Sequence, residues 1–258
     1  MNETGSIPTV IKMNDPFALH GKVALITGGS RGLGLQMAHA FAERGAHVLI
    51  ASRKIEACEA VAADIRGRGG KASATFVNAS HWSEMNRLAD WAFAEGGYVD
   101  ILVNNAGMSP AIPSHEVTES AFDKILSLNF KGPFRLAANI AHRMFLASGG
   151  AILNVSSTAS TMPMPRVVPY AGAKAAINAM TVSLAREYGP KVRVNAIVAG
   201  PFLTDIAKAW TEEDRRTANN SVGRPGLPEE IVTTALYLAS SASSYTTGAM
   251  VRCDGGTG

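Results

Sequence analysis

The chain has 258 residues, 47% of them apolar and 17% charged, with a formal net charge of +3 and a mean hydropathy of +0.08. That is enough apolar surface for a substantial core, which excludes wholesale disorder. Lys and Arg are dispersed, with no long basic run or basic helical face to suit nucleic acid or a membrane surface.

Residues 1–20 mix Asn, Glu, Thr, Pro, Lys and Asp without an apolar stretch. They read as an N-terminal extension rather than a signal peptide, and residues 21–258 read as one domain. No apolar run approaches the ~20 residues of a membrane-spanning helix. Two cysteines without a C-x-x-C pair argue against a disulfide framework and a thiolate zinc cluster, and fit a reducing cytoplasm.

From Gly21 onward, short apolar runs alternate with helix-period segments. Strands are predicted at 22–27, 48–51, 74–77, 100–103, 151–155, 192–197 and 250–252. Helices are predicted at 32–44, 54–67, 83–95, 118–147, 169–188 and 228–240, the fourth bent near Gly132-Pro133. Near-continuous apolar strands separated by helices predict a parallel sheet covered on both faces. An eight-stranded α/β barrel and a doubly wound open sheet both suit this length, and the strand count favours the open, Rossmann-type sheet.

The first strand runs into Thr27-Gly28-Gly29-Ser30-Arg31-Gly32-Leu33-Gly34 and then a helix. Glycines permit a tight turn and close approach of a pyrophosphate, and the N–H groups opening the helix face that anion. A glycine-rich turn that binds nothing is the competing reading, and the position at the first strand–helix junction favours a dinucleotide. The second strand ends at Ser52-Arg53, where an NAD site usually places a carboxylate for the ribose 2′-hydroxyl. A hydroxyl and a guanidinium there, with Arg31 in the turn, suit a 2′-phosphate instead, so NADP(H) is expected over NAD(H).

Tyr170 and Lys174 lie four apart, on one face of a predicted helix. An ammonium beside a phenol stabilises the phenolate, which predicts a Tyr170 pKa below the usual value of about 10. Such a tyrosine can exchange a proton with a carbonyl or alcohol oxygen. The fifth strand runs out through Asn154-Val155-Ser156-Ser157, at the carboxyl end where open-sheet sites sit.

Taken in order, Thr27-Gly28-x-x-x-Gly32-x-Gly34, Asn104-Asn105-Ala106-Gly107, Ser157 and Tyr170-x-x-x-Lys174 resemble the short-chain dehydrogenase/reductase family, over nearly the whole chain from Gly21. The resemblance implies Tyr170 as the acid/base, Lys174 as the group that lowers its pKa and bonds the nicotinamide ribose, and Ser157 as the group that orients the substrate oxygen. It implies that Asn129 holds a water in a proton relay to Lys174. Along the cofactor it implies Gly28, Ser30, Arg31, Gly32, Leu33, Gly34, Ser52, Arg53, Asn105, Ala106, Gly107 and Thr204. It also implies a homotetramer or dimer, which the Ala-rich stretch 171–176 would suit by close packing.

Three features depart from the family pattern. Asn78, followed by Ala79, replaces the usual Asp beside the adenine. Ala199-Gly200-Pro201 displaces the usual proline. Leu227 stands where a capping hydroxyl is common before Pro228, which predicts an uncapped helix start. The substrate side draws on Met108, Met162, Met164 and Phe202, an apolar and adaptable set. Arg166 is its one charge and reads as a solvent-facing loop residue. The polar segment 204–222 is expected to act as a mobile lid. The expected reaction interconverts a ketone and a secondary alcohol. The alternatives are an epimerase-like reaction on the same residues and a non-catalytic dinucleotide sensor.

Overall fold

The computed structural model describes residues 15–205, 207 and 210–257. Most of the expected N-terminal extension, residues 1–14, and three residues of the expected lid, 206, 208 and 209, lie outside the described residues.

Seven strands form one parallel sheet in the order β3-β2-β1-β4-β5-β6-β7. They are β1 (Val23–Thr27), β2 (His47–Ser52), β3 (Lys71–Phe76), β4 (Ile101–Asn104), β5 (Gly150–Ser157), β6 (Val192–Ala199) and β7 (Met250–Cys253). The central strands are buried on both faces, which is why each reads as a continuous apolar run. β3 differs. It is an edge strand whose burial varies along its length, and its first residues, Lys71-Ala72-Ser73, carry no apolar run. It therefore begins three residues before the predicted start.

Helices cover both faces. α1 (Gly32–Glu43) and α2 (Ile55–Gly67) pack with α8 (Val232–Ala239) on one side, around Met37, Phe41, Ile65 and Leu238. On the other side α3 (Trp82–Gly96), α5 (Gly132–Leu146) and α6 (Val168–Glu187) enclose Leu88, Ile140, Met144 and Leu184. A short α7 (Glu212–Arg216) lies in the segment after β6, and its Thr211 and Asp214 cap each other. Among the described residues no helix is long and apolar enough to cross a membrane.

Two expectations need correction. The predicted helix 118–147 is α4 (Glu119–Leu126), a π-helical turn at Ser127–Lys131, and α5. The irregularity precedes Gly132-Pro133, because a π turn carries an extra residue in the i→i−4 ladder. The packed fold begins before Gly21: Leu19 is 1% exposed within the α1/α2 core, its N–H donates to the Arg44 carbonyl at 2.8 Å, and Asp15 pairs with Arg44 at 2.6 Å. At the start before α8 the side-chain cap is missing at Leu227, as expected, and the backbone there is held another way. The Glu230 carboxylate accepts the Leu227 N–H at 2.6 Å and holds both Arg224 nitrogens at 2.8 Å.

Candidate active site

The strand order reverses between β1 and β4, and in open sheets this opens a crevice at the strands' carboxyl ends. The glycine turn lies there. Gly28 has φ +67°, a conformation that favours glycine. A side-chain carbon at Gly34 would stand 2.3 Å from the Gly28 carbonyl oxygen and 2.5 Å from Asn105 Nδ2, so only a bare backbone lets α1 start this close to the turn. α1 has no side-chain cap, which leaves its first N–H groups available to an anion.

Thr27 and Asn105 fasten this turn. The Thr27 hydroxyl accepts the Asn105 and Ala106 N–H groups at 3.1 and 3.2 Å and donates to the Val103 carbonyl. Asn105 Nδ2 donates to the Thr27 and Gly28 carbonyls at 3.0 and 3.1 Å. At the end of β2, Ser52 Oγ lies 3.0 Å from Ser30 Oγ and 2.9 Å from the buried Cys58 thiol. Arg53 is exposed. Ala79 is buried, and Asn78 Oδ1 accepts the Ser80 N–H at 3.2 Å.

Beside the turn, at the end of β5, Ser157 accepts the Ala159 N–H at 3.2 Å, starting a short helical turn. An internal chain anchors that turn to α6. Ser156 Oγ donates to Asn178 Oδ1 at 2.6 Å, Asn178 Nδ2 to Ser160 Oγ at 2.8 Å, and Ser160 Oγ to the Ser157 carbonyl at 2.6 Å. Pro169, in the first turn of α6, suits a helix start and sets the Tyr170 and Lys174 face. Lys174 Nζ donates to the Val155 carbonyl at 2.7 Å and lies 5.6 Å from the Tyr170 ring centroid.

The electrostatics differ from the expectation at Tyr170. Burial pushes its phenol up from the ordinary value, and a hydrogen bond with Ser157 opposes that. Lys174 stands beside the ring with its Nζ held on the Val155 carbonyl. Burial brings the Lys174 amine from 10.5 down to about 8.

Asn129 occupies the π turn and is fully buried. Its Nδ2 donates to the Met108 and Ile125 carbonyls at 2.9 Å, and its Oδ1 accepts the Met108 N–H at 3.2 Å. The bare Gly107 backbone lies between this side chain and Lys174: a side-chain carbon there would be 2.8 Å from Asn129 Oδ1 and 3.7 Å from Lys174 Nζ. The structure thus brings Gly107, Asn129, Ser157, Tyr170 and Lys174 into one cluster next to the glycine turn.

The substrate-side set is less unified. Met108 and Met162 are half-buried and Met164 is exposed. Arg166 is exposed with φ +68°, and its carbonyl accepts the Ile112 N–H at 2.7 Å, tying the two loops together. Phe202 does not join them. It is buried with the α1/α8 core, its ring against Gly226, because the chain after β6 turns inward there to bridge Gly226. Despite the displaced proline, Thr204 reaches the glycine turn, its methyl 3.3 Å from where a side-chain carbon on Gly32 would lie. Its neighbour Asp205 forms a 2.8 Å ion pair with Arg31. Sequence reasoning missed Asp205, Cys58 and Asn178, because nothing local marks a residue whose partner lies on another element.

The family model for short chain dehydrogenases matches residues 22–215. The chain belongs to the short-chain dehydrogenase/reductase family. It is 35% identical to D-threitol dehydrogenase of Mycolicibacterium smegmatis over 93% of this chain and 94% of that one. A solved Beutenbergia cavernae chain, assigned as an NAD(P)-dependent gluconate 5-dehydrogenase and holding NADP at low occupancy, is 34% identical with TM-score 0.89, covering 94% of this chain and 98% of that chain. A 7α-hydroxysteroid dehydrogenase complexed with NADH and 7-oxo glycochenodeoxycholic acid is 34% identical with TM-score 0.90, covering 94% and 96%. As a short-chain dehydrogenase/reductase the protein is an oxidoreductase acting on CH–OH and C=O groups.

Proposed function

We propose that this protein is an NADP(H)-dependent oxidoreductase interconverting a ketone and a secondary alcohol. The observation that carries this reading is the Ser157–Tyr170–Lys174 cluster at the carboxyl end of β5, opening onto the glycine turn. The turn suits a dinucleotide: a bare Gly28–Gly34 contact and an uncapped α1 start leave backbone N–H groups for a pyrophosphate. Gly28, Gly32, Leu33 and Gly34 hold it there, with Ser30, Ser52, Arg53 and Arg31 toward the adenosine ribose, Asn78, Ala79, Asn105, Ala106 and Gly107 along the adenosine, and Thr204 beside the nicotinamide. The bound cofactor supplies or accepts the hydride.

The chain's own residues handle the oxygen. Ser157 donates a hydrogen bond to the substrate oxygen, and Tyr170 moves the proton to or from it. Lys174, held on the Val155 carbonyl, bonds the nicotinamide ribose and supplies positive charge beside the phenol. Asn129 fixes the Met108 loop and faces Lys174 across Gly107, a placement that suits a water-mediated proton relay. Ser52 and Arg53, with no carboxylate at the end of β2, favour the phosphorylated cofactor. Met108, Met162 and Met164 form an apolar wall for the substrate, and residues 204–222 close over it. A second copy packs on the α5–α6 face, where Phe134 is 37% exposed. Cys58 and Cys253 are free thiols, which suits a reducing cytoplasm.

The test is kcat/KM for NADPH and NADH over a panel of ketones and secondary alcohols. The reading expects turnover with NADPH preferred. A strong NADH preference would overturn the cofactor assignment, and no turnover with any pair would overturn the activity.

A further inference from the structure

Arg31 belongs to the glycine turn, next to Ser30, whose hydroxyl meets Ser52 at the end of β2. That placement makes it one of the four residues proposed above to face the adenosine ribose, where the 2′-phosphate would sit. Its guanidinium is engaged elsewhere: Nη1 lies 2.8 Å from Asp205 Oδ2, on the segment that follows β6. The contact is supported by its neighbours, because the Thr204 side chain packs directly on Gly32. Both partners stay partly solvated, at 65% and 36% exposure, so an incoming anion can reach Arg31 without opening the core.

We infer that Asp205 is a cofactor-discriminating residue: its carboxylate competes with the cofactor's 2′-phosphate for Arg31 and so restrains the preference for NADP(H). This rests on the reading of Arg31 as a 2′-phosphate ligand. A 2′-phosphate carries a charge of about −1.5 to −2, so it displaces the carboxylate at the cost of that pair and is repelled by the carboxylate it displaces. The 2′-hydroxyl of NAD(H) is neutral and leaves the pair intact. Only the phosphorylated cofactor meets the competition. Exposed ion pairs are weak and screened by salt, so the effect on the ratio of the two dissociation constants is about two- to five-fold at low ionic strength and smaller at high.

The experiment is equilibrium titration of the full chain with NADPH and with NADH, followed by nucleotide fluorescence at low and high salt. It compares wild type, Asp205→Asn, Asp205→Lys and Arg31→Ala. Arg31→Ala should weaken NADPH binding more than NADH binding. Asp205→Asn should move the ratio toward NADPH by about two- to five-fold at low salt, and Asp205→Lys further. A general loosening of the segment would shift both cofactors by a common factor and cancel in the ratio. If Arg31→Ala is selective but both Asp205 variants leave the ratio unchanged or move it toward NADH, the inference is overturned and the cofactor reading stands. If Arg31→Ala changes both affinities equally, Arg31 is not the phosphate ligand and both ideas fail at this residue.

Discussion

Replacing Lys174 by methionine should raise the stability of the folded chain at neutral pH. Lys174 is 5% exposed, and burial brings its amine from 10.5 down to about 8. Between those values the unfolded chain binds more protons than the folded one. Stability contributed by this group is therefore complete above about 10.5, falls as pH drops toward about 8, and stays lost below it. At about 1.4 kcal/mol per pKa unit the penalty at pH 7 is about 3 kcal/mol. Methionine removes the charge and keeps an unbranched apolar stem. Against this stands the Nζ–H bond to the Val155 carbonyl at 2.7 Å, and a buried group left unpaired costs about 1–3 kcal/mol. The net is a stabilisation of about 0–2 kcal/mol, a rise of a few degrees in Tm for a chain of this size. Thermal unfolding of both proteins from neutral to alkaline pH is the assay. The variant's advantage should be largest at pH 7 and shrink as pH rises, since the wild type sheds a penalty the variant never had. A variant that melts below the wild type by a margin independent of pH would refute the reasoning.

Gly34→Ala should weaken NADPH binding at least tenfold and lower Tm, since the new carbon would stand 2.3 Å from the Gly28 carbonyl oxygen; fluorescence titration with near-normal affinity would contradict that. Ser52→Asp should shift the kcat/KM ratio toward NADH by at least about tenfold, because a carboxylate repels a 2′-phosphate and binds a 2′-hydroxyl; an unchanged ratio would place the 2′ group elsewhere. Thr181→Val should destabilise by about 1–3 kcal/mol, read as a lower Tm. Buried Thr181 Oγ1 accepts Asn154 Nδ2 at 3.0 Å, and Asn154 Oδ1 accepts Asn104 Nδ2 at 3.0 Å, so the change orphans a donor in a buried chain. Equal melting would show that the chain finds another acceptor.

The sheet was legible because its central strands are buried on both faces and leave unbroken apolar runs. β3 was read late because Lys71 and Ser73 give an edge strand no such signature. The helix of residues 118–147 was legible as helical, but its π turn was not, since a single extra residue in the ladder leaves no trace in composition. That turn lies at Asn129, whose side chain clamps Met108. Leu19 was hidden for a simpler reason: the run Phe17-Ala18-Leu19 is too short to show a period, and its slot is built by the distant Arg44 carbonyl. At the site, Ser157, Tyr170 and Lys174 were readable from order and spacing. The direction of the Tyr170 shift was not, because it depends on how deeply the folded chain buries the phenol. Phe202 was misplaced because apolarity alone does not distinguish a pocket wall from a core residue packed on Gly226.

The central claim is that Tyr170 moves the proton while the cofactor is held by other groups. Turnover and NADPH affinity of Tyr170→Phe test it together. Loss of a positioned acid/base costs about 10²–10⁴-fold, so the account predicts a fall of that size in kcat/KM for the best ketone substrate, with the dissociation constant for NADPH within a few-fold of wild type. A variant that keeps near-normal turnover would contradict it.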